Sequence, residues 1–231
     1  MILEVCIDSV QSALAAQEGG AGRVELCANH EVGGTTPPEE LVRSVRSKIS
    51  IPVHVMIRPR GGDFSYSDLE FQTMLHSVET AKALGANGVV FGMLDRHGNI
   101  DTAKSGWFVN IARPLSVTFH RAFDECRDLP SGMDVLKTLG IDRVLTSGGA
   151  GVILDNAGML RELVLRSRGV VQVMAGGGVT FDNISELLKL TGVVEVHALS
   201  AVLDAAAKVV DPNKVKRMVR LIREVSPGSQ A

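Results

Sequence analysis

Short β-branched, apolar runs alternate along the chain with stretches of helical periodicity, and the alternation repeats eight times. Strands are expected at 2–6, 23–27, 52–57, 88–91, 116–120, 143–146, 170–174 and 193–197. Helical patterns fill the intervals, with start and stop residues where capping requires them. Asp8 or Ser9 precedes the first helix and Gly19-Gly20 follows it; Pro37-Pro38 opens the second, which runs to about Lys48. The third runs from Ser67 or Asp68 to Leu84 and closes at Gly85. Further helices are expected at 101–111, 131–139, 155–167, 181–190 and 212–225, the last ending at Pro227-Gly228, and 198–210 reads as another helical piece. Repeated strand–helix units build a parallel sheet, and eight of them point to a closed (β/α)8 TIM-type barrel, because closure removes both sheet edges. An open doubly wound sheet is the alternative.

Within the strands a period of two separates two faces. Glu4, Cys6, Glu25, Cys27, His54, Met56, Arg58, Thr118, His120, Gln172, Met174, Glu195 and His197 share one. Leu3, Val5, Leu26, Val53, Val55, Ile57, Val117, Phe119, Val171, Val173, Val194 and Val196 share the other. The apolar set suits contact with outer helices. The polar set is expected to line the barrel interior, its last members reaching the C-terminal mouth where such barrels carry their sites.

Composition narrows the functional class. The 231 residues are read as a single TIM-barrel domain, with 224–231 a frayed tail. A net charge of −2 provides no basic field for nucleic acid. No run approaches a membrane span, and no basic leader precedes Met1-Ile2-Leu3-Glu4, so a cytoplasmic location is expected. Three cysteines without CxxC or finger spacing indicate reduced thiols rather than disulfides or structural zinc.

Polar chemistry concentrates at strand ends. Arg58-Pro59-Arg60-Gly61-Gly62-Asp63 follows strand three, and His120-Arg121-Ala122-Phe123-Asp124 follows strand five. Thr146-Ser147-Gly148-Gly149, Gly176-Gly177-Gly178 and His197 close the next three. The glycine turns, with Ser147, Gly148, Gly177 and Gly178, offer backbone N–H groups to an anion, and Arg60 and Arg121 offer paired hydrogen bonds. His120, Arg58 and Asp63 are the candidate catalytic set for a small anionic or phosphorylated metabolite, with His120–Asp124 and His197–Glu195 as candidate acid–base pairs. The same arginines and aspartates also suit a structural ion network. No P-loop, serine elbow or HExxH is present, and whether the protein is an enzyme stays open.

Glu4-Val5-Cys6 and Glu25-Leu26-Cys27 place two thiols at equivalent ends of adjacent strands. A barrel brings them close enough for one soft cation, Cu(I) or zinc, with Met56, Met174 and nearby histidines as supplements. Buried cysteines acting as small apolar residues are the other reading. Cys126 is expected to be an incidental loop thiol.

The segments 4–9, 19–21, 25–27, 33–37, 55–68, 90–92, 118–124 and 143–148 together resemble the CutC family of copper homeostasis proteins. The resemblance implies a cytoplasmic TIM-type barrel, a homo-oligomer, and copper handling with Cu(I) on Cys6 and Cys27; it implies no settled enzymatic role. The chain departs from the family pattern at Ala28-Asn29, where Ser-Gly is usual, at Ala175, where proline is usual, and at 198–202, where an arginine is lost.

Overall fold

The computed structural model describes residues 1–204 and 206–225. Among them, eight strands close into an all-parallel barrel in chain order, each paired with its sequence neighbours and the last with the first. The strands are β1 (Ile2–Ile7), β2 (Arg23–Leu26), β3 (Val53–Met56), β4 (Gly88–Phe91), β5 (Ser116–Phe119), β6 (Arg143–Thr146), β7 (Gln172–Ala175) and β8 (Glu195–Ala198). The helices are α1 (Val10–Glu18), α2 (Glu39–Lys48), α3 (Asp68–Ala83), α4 (Thr102–Ala112), α5 (Leu129–Leu139), α6 (Ala157–Ser167), α7 (Ile184–Thr191) and α8 (Pro212–Val225).

Local chemistry explains several boundaries. The Ser9 hydroxyl accepts from the Ser12 amide to start α1. Ser67 and Glu70 form a capping box at α3, satisfying two otherwise orphaned N–H groups. Asp101 caps α4, and Asp128 caps α5 three residues before the expected start. The stretch 198–210 is shorter in helix than expected: a 3₁₀ turn, Ser200–Val202, is followed by an antiparallel bridge between Leu203 and Val210. Of the expected tail, Glu224 and Val225 belong to α8, and 226–231 lie outside the described residues, as does the helix stop at Pro227-Gly228.

The two strand faces separate as the period of two predicts. Leu3, Val5, Leu26, Val53, Val55, Ile57, Val117, Phe119, Val171, Val173 and Val196 are buried in one large apolar core between barrel and helices. Val194 is the exception, 44% exposed, because β8 begins only at Glu195. Inside the barrel, Cys6, Cys27, Met56 and Val90 form a small apolar cluster of their own. Beneath it lies a charged layer. Arg23 is clamped between Glu4 and Glu195, Glu195 also binds Arg143, and Glu4 accepts a 2.9 Å contact from His197 Nδ1. No helix among the described residues is long and apolar enough to cross a membrane.

Candidate functional site

A cavity of about 570 Å³ opens at the C-terminal ends of the strands. Its floor on one side is the thiol pair. Cys6 ends the inward row of β1 and Cys27 directly follows β2, and their sulfurs lie 3.0 Å apart, both buried. The contact with Cys27, then burial, pushes the Cys6 thiol well above its ordinary range. For Cys27 the contact with Cys6 lowers the pKa, but burial and the carboxylates of Glu25, Asp8 and Glu4 outweigh it and the net direction is up. Both thiols therefore rest protonated, and a metal must displace those protons to bind. His30, on a 3₁₀ turn after β2, sets its Nε2 3.4 Å from Cys6 Sγ, while its Nδ1 faces Asp8 Oδ2 at 3.6 Å. The donor atoms of Cys6, Cys27 and His30 all lie within 4.8 Å of one another, as do those of Cys6, Glu25 and His197.

The strand-three segment splits in two. Arg58 is buried, lines the cavity, and directs its Nη1 and Nη2 to the carbonyls of Val32, Gly34 and Gly62, with Phe64 packed 4.8 Å from it and the Arg58 Nε left without a partner among the described residues. Arg60 and Asp63 turn elsewhere: Arg60 binds Glu70 and Asp63, and Asp63, 71% exposed, also accepts from the Ser65 amide. Arg58 and Asp63 are not brought together, because Arg58 reaches across to the loop after β2 while Asp63 pairs within its own loop.

His120 lines the cavity, and its Nδ1 accepts from the Ala122 amide, which assigns the proton of the neutral ring to Nε2. Burial first, then Arg58 and Arg121, hold its pKa down to about 3. Asp124 does not pair with it. That carboxylate instead accepts from Thr146 Oγ1, Ser147 N and Oγ, Gly149 N and Arg121 Nε. The Ser147-Gly148 turn thus already holds an anion supplied by the chain, and Gly148 N is taken by Thr146 Oγ1. The turn after β7 differs. The amides of Gly177 and Gly178, and of Val179 beside them, find no acceptor among the described residues, and all three residues line the cavity. The Arg121 guanidinium lies over Gly177, where φ is +84° and a Cβ would sit 2.6 Å from Cζ; only glycine fits there.

His197 takes Glu4 and Glu25 as partners rather than Glu195. The parallel register places Glu4 directly beside His197, whereas residues two apart on one strand stand side by side without meeting. Burial alone would lower the His197 pKa, but Glu25, the contact with Cys6 and Glu4 raise it well above the usual value. Arg23, Arg143 and His30 were not singled out by the sequence reading. The two arginines continue the inward rows of Glu25 and Leu145; His30 follows Cys27 by three residues, a Cys-x-x-His spacing inside a loop.

The family model described as CutC family matches residues 1–202. A mouse protein named copper homeostasis protein cutC homolog is 46% identical over 196 residues, 85% of this chain and 72% of that protein. A Bacteroides fragilis family protein CutC is 47% identical over 197 residues, 85% of this chain and 78% of the relative. Among solved structures, the CutC protein of Streptococcus agalactiae superposes with a TM-score of 0.81 at 33% identity, covering 85% of this chain and 97% of that one. Thiamine phosphate pyrophosphorylase from Pyrococcus furiosus, at TM-score 0.68 and 20% identity over 98% of this chain and 97% of its own, shares the fold alone.

Proposed function

From the premise that this chain belongs to the CutC family, we propose that it is a copper homeostasis protein that binds Cu(I) through Cys6 and Cys27. The observation that carries the reading is the buried thiol pair, 3.0 Å apart, at the floor of an accessible cavity. Thiolates are soft ligands that select Cu(I) over harder cations, and Met56 beside them adds a thioether to the same cluster. The donors present fit a soft monovalent ion, which is here cargo. Because both thiols rest protonated, Cu(I) uptake releases protons and weakens as pH falls. Anaerobic Cu(I) competition titration of wild type against Cys6→Ala/Cys27→Ala tests it. The double variant is expected to lose several orders of magnitude in affinity; equal affinity in both would falsify the assignment.

The size of the cavity favours a second reading, a small anionic ligand. Its volume of about 570 Å³ far exceeds one ion and lies within the roughly 300–1,000 Å³ of small-molecule pockets. Arg121 and the amides of Gly177, Gly178 and Val179 are its candidate anion partners, and the neutral His120 ring stands beside them in the lining. Calorimetric titration with inorganic phosphate and with a simple phosphate monoester is expected to show binding that weakens on Arg121→Gln. Absence of heat with either probe at millimolar concentration removes this reading.

A further inference from the structure

We propose that His30 is the third ligand of the metal held by Cys6 and Cys27, making a three-coordinate Cys2His centre; the inference rests on the copper reading above. Three observations carry it. The first is distance. His30 Nε2 already stands 3.4 Å from Cys6 Sγ, and all three donor atoms fall within 4.8 Å of one another. The second is the spacing of the sulfurs. With a metal–thiolate bond of about 2.3 Å, a linear dithiolate needs its sulfurs roughly 4.6 Å apart and a trigonal site roughly 4.0 Å. At 3.0 Å the pair is nearer to the trigonal arrangement and must open less to reach it. Two sulfurs drawn together on one side leave the opposite side for a third donor, and His30 lines the same cavity within reach of both.

The third is how the ring is held. Its Nδ1 faces Asp8 Oδ2 at 3.6 Å, longer than a hydrogen bond but a short approach away from the carboxylate-backed arrangement that orients metal-bound histidines. The loop beneath it is fixed: Asn29 adopts a left-handed conformation (φ 53°), its side-chain amide donates to Thr35 Oγ1, and Arg58 grips the carbonyls of Val32 and Gly34. His197 is the other histidine near the thiols, but both its ring nitrogens face carboxylates, Glu4 at 2.9 Å and Glu25 at 3.7 Å. Using it as a ligand would strip the charged layer of a partner. His30 turns only Nδ1 toward a carboxylate and Nε2 toward the thiol, and it is the most exposed of the three ligands, its side chain 20% accessible.

The experiment is X-ray absorption on Cu(I)-loaded protein, with anaerobic competition titrations of wild type, His30→Gln, Asp8→Asn and Cys6→Ala/Cys27→Ala. Wild type is expected to show two sulfur donors and one imidazole nitrogen. His30→Gln is expected to lose the nitrogen signal and weaken binding by more than the roughly ten- to a hundredfold that loss of a ligand's supporting partner costs, with Asp8→Asn within or below that range. A wild-type spectrum with sulfur donors alone overturns the proposal whatever the variants do. So does His30→Gln with wild-type affinity, while leaving the thiol site standing. Undiminished affinity in the cysteine double variant instead brings down the copper reading itself.

Discussion

His54 stands inside the barrel with its Nδ1 unpartnered, and burial first, helped by Arg23 and Arg143, pulls its pKa down to about 4. In the unfolded chain the ring titrates near 6.5, so between those values the unfolded state binds more protons and stability rises with pH. Its contribution is complete above about pH 6.5 and is lost as pH falls toward 4, about 3 kcal/mol from a shift of 6.5 − 4 = 2.5. His197 works in the other sense: its raised pKa favours the folded state at low pH, and that advantage fades as pH rises through the folded value. Urea unfolding of wild type and His54→Gln between pH 4 and 7 separates the two; the variant is expected to show a shallower loss on acidification, and parallel curves would contradict it. Arg58 marks what residue-level reading misses. Its place behind strand three was legible, but two of the three carbonyls it holds lie 26 and 24 residues upstream, and no local pattern announces them.

At the scale of elements, strand faces were legible because a period of two is imposed by the pleat, and β4, β6 and α8 fall on their expected limits. Side-chain pairing was not, because it follows the register between strands. His197 meets Glu4 across 193 residues, and Asp124 meets the β6 turn rather than its neighbour His120. Gly92, just past β4, shows how tightly neighbouring strand ends are fitted: a Cβ there would lie 2.4 Å from the His120 ring. Gly92→Ala is expected to cost roughly 1–3 kcal/mol, as overpacking does, and to shift the His120 imidazole resonances. Unchanged stability together with unchanged His120 resonances would show that the ring has room to yield.

Across the whole molecule, closure of the barrel was legible from eight alternating units, but the charged layer that fills it was only half visible, since Arg23 and Arg143 stand at the first positions of their strands, where the period of two has no preceding residue to anchor it. Glu195 is its hinge, binding both arginines. Glu195→Gln removes the anion that the two arginines share, leaving Arg143 without its carboxylate and Arg23 with Glu4 alone. The expected destabilisation is about 3–5 kcal/mol, the range for breaking a buried pair, read as a lower urea midpoint at pH 7; a midpoint within error of wild type would mean the layer contributes little. The same layer has a logistic consequence. Ion pairs of Arg23, Arg143, Glu4 and Glu195 fill the barrel beneath the thiols, so among the described residues the cavity at the strand ends is the approach to them. On the copper reading proposed above, a donor and a recipient would have to use the same rim, one after the other.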